Sequence, residues 1–314
     1  MGCLGMENHN SRVKNPIVSA DWLRLHLSDP QVIAIDCRFS LMEPDEGRRQ
    51  YSVSHIPGAY YLDLNEDLAS PVMSHGGRHP MPNIEVLSEK LRAMGISQDT
   101  WVVLYDSARL SYAARAWWLL RYLGHNRTLL LNGGWQAWTA LHYPVNNLQN
   151  EPKTGSLRGQ FQPQPQPNWI ATLEDVKAAI DHAKTHTDQI VLVDSRETVR
   201  YRGEREPIDP IAGHIPGAVN YPWQQVTDGR GFINPERQQS DRWHRIQEVP
   251  EIIVYCGSGV TACVNLLSMH MAGITAKLYV GSWSDWCSYL TPDLTPDSVK
   301  MPSASASASA AQES

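Results

Sequence analysis

The chain lacks the features that mark several protein classes. No window of its 314 residues approaches the ~20 consecutive apolar residues of a membrane-spanning helix. It has no long basic run and its formal net charge is -6, so we expect no nucleic-acid partner. The N-terminal stretch has no apolar h-region, so we expect no secretory signal.

Cysteine is scarce and irregularly spaced. The chain has five cysteines and no CxxC pair. An odd number without metal-ligand spacing argues against a disulfide framework and against a zinc site, and we predict no metal and no cofactor. Reduced thiols are typical of a cytosolic protein, so we expect a cytoplasmic location and no membrane partner.

The chain has enough apolar residues for real cores, and it repeats itself. Hydrophobic residues make up 42% and charged residues 19% of the sequence, as in ordinary globular proteins. Five phrases recur in the same order in the two halves. They are 32-VIAIDCR-38 and 190-IVLVDSR-196, 55-HIPGAYY-61 and 214-HIPGAVN-220, 101-WVVLYDSARL-110 and 252-IIVYCGSGV-260, RYLG and HMAG, and 128-TLLLNGGW-135 and 276-AKLYVGSW-283. An internal duplication explains this order most economically.

The recurring apolar runs predict the fold class. VIAID and IIVYC are nearly continuous, without the polar alternation of a half-exposed strand. Such runs are typical of parallel strands buried on both faces, and helical patterns alternate with them. We therefore predict an α/β protein of two tandem duplicated domains, each with a mostly parallel central sheet and helices on both faces.

Composition suggests where the domains begin and end. We predict an N-terminal domain over 16–148 and a C-terminal domain over 169–292. The segment 149–168 is rich in Pro, Gln and Asn and has no core of its own to bury, so we interpret it as an extended linker. The low-complexity residues 293–314 are expected to be disordered.

Cys256 follows an apolar run and precedes two glycines. A loop with glycines between a strand and a helix can turn successive N–H groups inward into an anion-binding nest, and the helix N-terminus adds partial positive charge. Both effects favour the nucleophilic thiolate, and the same loop, from Gly257 through Ser258, Gly259 and Val260 to Thr261, could seat an anionic substrate. Aligned by the repeat, Cys256 corresponds to Asp106. The scaffold is therefore duplicated but the thiol is not, which favours a nucleophile over a buried core cysteine.

A cysteine-dependent phosphatase is an alternative that the loop does not support. That chemistry needs an arginine closing the loop to hold the phosphoryl oxygens. The corresponding residue here is Ala262, so we reject this class.

The duplicated HIPGA phrase and CGSGVTA resemble the two-domain sulfurtransferases of the rhodanese superfamily, which comprise thiosulfate and 3-mercaptopyruvate sulfurtransferases. The resemblance implies two rhodanese-like domains, the second of them catalytic, with the site between them. It also implies that Cys256 attacks the outer sulfur of a small anionic donor and holds it as a persulfide. The sulfur then passes to an acceptor such as cyanide or a thiol.

The resemblance assigns further residues one by one. It implies that Ser258 supports catalysis, that His79 of 79-HPMP-82 contacts the substrate, and that Arg200 binds the donor. The family's second donor-binding arginine falls on Ile208, with Arg205 nearby but not at the matching position. The family's first-domain aspartate falls on Asn65, with Asp63 two places before it.

A second function class is compatible with the same frame. The chain could be a persulfide carrier, or a non-catalytic interaction scaffold, that delivers sulfur to a protein partner. The intact CGSGVTA loop favours an active sulfurtransferase, because a scaffold would not need the thiol in one copy only.

Overall fold

The computed structural model describes residues 15–185 and 189–290. The tail 293–314, which we expect to be disordered, lies outside the described residues. The first half contains five strands and five helices, and the second half repeats this pattern.

The elements of the first half are, in chain order, β1 (Ile17–Val18), α1 (Ala20–His26), β2 (Val32–Asp36), α2 (Glu46–Val53), β3 (Tyr60–Tyr61), α3 (Ile84–Ala93), β4 (Trp101–Tyr105), α4 (Ala113–Tyr122), β5 (Thr128–Leu131) and α5 (Gly134–Ala140). Two of the helices begin at side-chain caps. Ser19 Oγ accepts the Trp22 N–H and Asn83 Oδ1 accepts the Val86 N–H, which satisfies helix-start donors that would otherwise lack an acceptor.

The elements of the second half are β6 (Ile170–Ala171), α6 (Leu173–Thr185), β7 (Ile190–Asp194), α7 (Thr198–Tyr201), β8 (Val219–Asn220), α8 (Glu236–Trp243), β9 (Glu251–Tyr255), α9 (Ala262–Met271), β10 (Lys277–Tyr279) and α10 (Ser282–Leu290). None of the helices in the described ranges combines the length and the apolar character needed to cross a bilayer.

Each half forms a five-stranded sheet in which every pairing is parallel. The strand orders are β1-β5-β4-β2-β3 and β6-β10-β9-β7-β8, so the two topologies match strand for strand. Alternate residues of β2 enter different cores, with Ile33 and Ile35 in one cluster and Val32 and Ala34 in another. Both faces of the sheet are therefore covered, which explains the continuous apolar runs. The predicted pair of parallel α/β domains is confirmed.

The two halves share a core at α4 and α9. All ten residues of α4 are buried, and in α9 every residue except His270 is buried. Trp117 of α4 and Leu267 of α9 belong to one continuous cluster. Because each helix directly follows the loop at the end of a central strand, this packing brings both loops close to the domain boundary.

The segment 149–168 has no strand and only one-turn 3-10 helices at Gly155–Leu157 and Pro167–Trp169. Its backbone is nonetheless attached to the first half, since Gly159 N–H donates to Arg92 O and Gln164 N–H donates to Leu123 O, each at 2.8 Å. Phe161 is fully buried against His125. The segment has no core of its own, but the Phe161 ring is buried in the core of the first half.

Candidate active site

Cys256 lies directly after β9, at the carboxyl end of a central strand, where α/β sheets form their crevices. Its side chain is buried, with only 1% of the residue exposed. Its N–H donates to Ser282 Oγ at 3.2 Å, and its carbonyl accepts the Trp283 N–H at 3.0 Å. The start of α10 thus holds the cysteine backbone from one side.

The loop between Cys256 and α9 leaves several N–H groups available. In residues 15–185 and 189–290, no acceptor is hydrogen-bonded to the N–H of Ser258, Val260 or Ala262. Gly259 adopts φ +75°, and a Cβ there would overlap the Val280 carbonyl, so the turn requires glycine. Unpaired N–H groups in such a turn, followed by a helix N-terminus, form a site suited to an anion.

His79 joins the loop from the first half. Its Nδ1 lies 2.8 Å from Ser258 Oγ, and both residues are buried. Burial, reinforced by the charges of Arg78 and Arg115, lowers the pKa of His79 to about 3. The imidazole is therefore neutral at neutral pH. It can fix the direction of the Ser258 hydroxyl, but it is too weak a base to retain a proton there.

Two arginines meet over Gly257. A Cβ built on Gly257 would lie 3.0 Å from Nη2 of Arg78, and 3.5 Å and 3.7 Å from Nη2 and Nη1 of Arg200. Burial, with the neighbouring Arg200 charge, lowers the pKa of Arg78 to about 10, so it stays protonated at neutral pH. Asp209 pairs with both arginines and Glu206 pairs with Arg200.

Arg115 reaches the back of the same loop from α4. Its Nη1 donates to Gly259 O at 3.3 Å, and its Nη2 donates to Leu68 O at 3.3 Å and His79 O at 3.4 Å. It is fully buried, and no carboxylate among the described residues forms an ion pair with it. This single guanidinium connects the Cys256 loop to the loop that carries His79.

The other described cysteines are poor nucleophiles. Burial raises the pKa of Cys37 well above its ordinary value, that of Cys263 to about 12 and that of Cys287 to about 11. These three side chains are buried thiols, and we interpret them as structural.

The structure brings most of the predicted site residues together. Cys256, Gly257, Ser258, Arg200 and His79 meet at one end of the second sheet. Gly259 and Val260 complete the turn; the Val260 side chain is buried in the core, so only its backbone can face a ligand. Thr261 immediately precedes α9 and is half-buried.

Other candidates lie elsewhere or have a local role. Arg205 is exposed and Ile208 is half-buried. Asp63 accepts the Asn65 N–H at 2.8 Å and pairs with Arg48 at 3.7 Å, which stabilises its own turn.

Sequence reasoning missed Arg78 and Arg115. Arg78 directly precedes His79 in an unduplicated loop, and this adjacency was an available signal. Arg115 gave none, because an arginine within an apolar helix pattern normally indicates a partly exposed position.

A Rhodanese-like domain profile matches the chain twice, over residues 19–141 and 172–289. A Pseudomonas aeruginosa protein named "Probable 3-mercaptopyruvate sulfurtransferase" is 43% identical over 86% of this chain and 94% of its own length. The Arabidopsis thaliana "Thiosulfate/3-mercaptopyruvate sulfurtransferase 1, mitochondrial" is 31% identical over 94% of this chain and 82% of its own length.

The fold also matches a solved structure. The crystal structure of the 3-mercaptopyruvate sulfurtransferase of Escherichia coli superposes with a TM-score of 0.71 at 31% identity. The match covers 86% of this chain and 99% of that one.

Proposed function

The chain belongs to the rhodanese-like family and is a sulfurtransferase, and on this premise we propose that Cys256 carries the transferred sulfur as a persulfide. The observation that supports this most is the position of the thiol, at the end of β9 beside a loop whose N–H groups at Ser258, Val260 and Ala262 have no acceptor among the described residues. These donors stabilise negative charge on sulfur, both in the thiolate and in the persulfide anion.

The proposed reaction has two steps. The Cys256 thiolate attacks the sulfur of 3-mercaptopyruvate, an S–S bond forms, and the donor C–S bond breaks. The electron pair of that bond, together with the proton of the donor thiol, forms the methyl group of pyruvate. Cyanide then attacks the outer sulfur, the S–S bond breaks, and thiocyanate leaves while the electron pair returns to the Cys256 thiolate. A covalent intermediate of this kind gives ping-pong kinetics.

Ser258 and His79 support the first step. The hydroxyl of Ser258 lies in the loop beside the nucleophile, so it can hydrogen-bond the donor as charge shifts towards the leaving group. The neutral imidazole of His79, at 2.8 Å, holds that hydroxyl in place. This role requires orientation, not proton storage, and agrees with a His79 pKa of about 3.

Arg200 binds the anionic end of the donor. Its guanidinium lies over Gly257, next to the nucleophile, with Glu206 and Asp209 fixing its position. The name of the Pseudomonas aeruginosa relative contains 3-mercaptopyruvate, and that of the Arabidopsis thaliana relative contains both thiosulfate and 3-mercaptopyruvate. Either donor offers an anionic group to this arginine. Reduced thiols at Cys37, Cys256 and Cys263 suit a reducing compartment such as the cytoplasm.

The assay is thiocyanate formation from each donor with cyanide, in the wild type, in Cys256→Ser and in the matched control Cys263→Ser. We expect wild type and control to be active and Cys256→Ser to be inactive. Donor without cyanide should add the mass of one sulfur atom to the peptide that contains Cys256. Thiocyanate formation by folded Cys256→Ser would contradict the proposal. Folded wild type that accepts sulfur yet forms no thiocyanate would favour the carrier alternative.

A further inference from the structure

Two guanidinium groups, one from each half of the molecule, face the same point of the Cys256 loop. The atoms nearest to a Cβ built on Gly257 are Nη2 of Arg78 and the two Nη atoms of Arg200, all within 3.0 to 3.7 Å. A real glycine leaves that space empty, because it has no side chain. The space lies one residue from the nucleophile and is lined by positive charge.

A single carboxylate holds both arginines by their far edges. Asp209 Oδ1 accepts Nη1 of Arg78 and Asp209 Oδ2 accepts Nη2 of Arg200 at 3.0 Å. The Glu206 carboxylate accepts hydrogen bonds from Nε and Nη2 of Arg200 at 2.7 to 3.1 Å. Within the described part of the chain, no acceptor is hydrogen-bonded to Nη2 of Arg78 or Nη1 of Arg200. The acids therefore fix the pair and leave one Nη of each arginine available for a ligand.

The loop that carries Arg78 is attached to the second half just before the site. The Arg78 N–H donates to Ser284 Oγ at 3.1 Å and the Gly76 N–H donates to Asp285 Oδ1 at 2.7 Å. Gly77 adopts φ +77° and packs so closely that a Cβ would overlap the Gly281 carbonyl. This backbone is positioned by the start of α10, the element that also holds Cys256, so Arg78 has a defined place relative to the thiol.

We propose that Arg78 and Arg200 together form the subsite for the anionic end of the sulfur donor. The proposal deepens the proposed function and rests on it. The family resemblance implies a second donor-binding arginine at the position of Ile208, which carries no charge, and Arg205 nearby is exposed. Arg78, from the opposite half, supplies the missing cation. Two N–H groups from separate guanidiniums can each bind one oxygen of a carboxylate.

The charges around the subsite indicate which donor it prefers. Arg78, Arg196 and Arg200 are balanced by Asp194, Glu206 and Asp209 in one connected set of ion pairs. Because the set is neutral, a monoanionic carboxylate gains two charge-assisted hydrogen bonds at little repulsive cost. A dianion such as thiosulfate adds a second negative charge near Asp209 and Glu206, which repel it. The subsite therefore favours 3-mercaptopyruvate over thiosulfate.

The test is steady-state kinetics of Arg78→Ala, Arg78→Lys and Arg200→Ala with both donors, at saturating cyanide, with Arg205→Ala as the matched control. We expect Arg78→Ala to raise the KM for 3-mercaptopyruvate about tenfold to 100-fold, the range for losing a charged hydrogen bond. Pyruvate has the carboxylate but no thiol, and its inhibition constant as a competitive inhibitor should rise by a similar factor. Arg78→Lys should recover part of the loss, and Arg205→Ala should stay within about twofold of wild type.

A second variant tests the charge balance. Asp209→Asn removes one negative charge, so the ratio of kcat/KM for thiosulfate to that for 3-mercaptopyruvate should rise. An unchanged KM and pyruvate inhibition in folded Arg78→Ala would overturn the subsite, as would a fall in kcat alone with both donors, which indicates a structural role. An unchanged donor ratio in Asp209→Asn would overturn the preference. Failure of the proposed function is separate, since wild type would then form no thiocyanate.

Discussion

The loops that follow the two central strands, 106–113 and 256–263, share a backbone design but hold different anions. In the first loop both oxygens of Asp106 accept backbone N–H groups at 2.8 to 3.0 Å. The donors are Ala108, Leu110, Tyr112 and Ala113. The repeat aligns these four with Ser258, Val260, Ala262 and Cys263. Three of these second-loop N–H groups have no acceptor among the described residues, and the Cys263 N–H donates to Val260 O.

The difference shows what this loop does in the fold. In the first loop the Asp106 carboxylate already accepts these four N–H groups, so the loop acts as a structural element. The second loop places a thiol at the same position and leaves the nest open. The same scaffold thus either neutralises its own donors or offers them to a sulfur anion, and one residue, Asp106 or Cys256, decides which.

Two neighbouring positions follow the same division. Gly259 of the second loop corresponds to Arg109, which adopts φ +58° and donates to Gln224 O and to Thr227. Arg115 of α4 corresponds to Asn265 of α9. Arg115 donates to the Cys256 loop, whereas Asn265 donates to Ser195 and Tyr221 within its own half. The first loop and α4 thus donate hydrogen bonds that stabilise the second half of the molecule.

The largest effect that we expect comes from emptying the filled nest. Asp106→Ala leaves three buried N–H groups and the part-buried Ala108 N–H without an acceptor, and each buried unsatisfied donor costs about 1 to 3 kcal/mol. We predict a loss of at least about 3 kcal/mol in the free energy of unfolding, measured by urea denaturation.

Cys256→Ser is the matched control for this prediction, because its loop is already open. It should change the unfolding free energy by about 1 kcal/mol or less, while abolishing sulfur transfer. If both variants lost the same stability, the two loops would not differ in the way that their hydrogen bonds indicate.

Much of this comparison could be predicted from the sequence. The repeated phrases predicted the duplicated parallel sheets, and the unequal pair Asp106 and Cys256 pointed to one working site. The sequence could not predict that Asp106 binds its own loop, because a carboxylate at a strand end is compatible with many partners. It also could not predict that Arg78 reaches Gly257, because that contact depends on how the two halves pack and not on periodicity within either half.

The next effect concerns the glycine that the second loop requires. Gly259→Ala combines a left-handed backbone, φ +75°, with overlap of the new Cβ and the Val280 carbonyl. We expect a loss of about 3 kcal/mol and of most activity, since the loop must shift away from its N–H geometry. Unfolding free energy and thiocyanate formation measure the two parts.

Gly58→Ala is the control that separates the cost of backbone strain from the cost of the overlap with the Val280 carbonyl. Gly58 has the same φ of +75°, but nothing lies within 4 Å of its added Cβ. It should cost about 1 kcal/mol and leave activity intact. Equal costs for the two variants would mean that the contact with Val280 contributes nothing to the loop.

The smallest effect distinguishes two buried histidines, one in the site and one in the first-half core. Burial lowers the pKa of His79 to about 3 and that of His125 to about 4, from an ordinary value of 6.5. The unfolded chain therefore binds protons that the folded protein excludes. The contribution of each neutral, buried histidine to the free energy of unfolding is fully present above 6.5, the pKa of histidine in the unfolded chain. This contribution falls as the pH drops from 6.5 towards the lower pKa of the folded state.

Each histidine should contribute a slope of up to about 1.4 kcal/mol per pH unit between about pH 6 and 5. Replacing either histidine with asparagine should remove its contribution to the pH dependence of the unfolding free energy. Urea denaturation midpoints across this pH range measure the change. Activity separates the two. The His125 ring hydrogen-bonds Thr128 Oγ1 and Ser97 O, both in the first half. His125→Asn should therefore keep the kcat of wild type, whereas His79→Asn should lower it by releasing the Ser258 hydroxyl. An unchanged kcat in both variants, with both slopes flattened, would place His79 with His125 as a core residue that happens to touch the site.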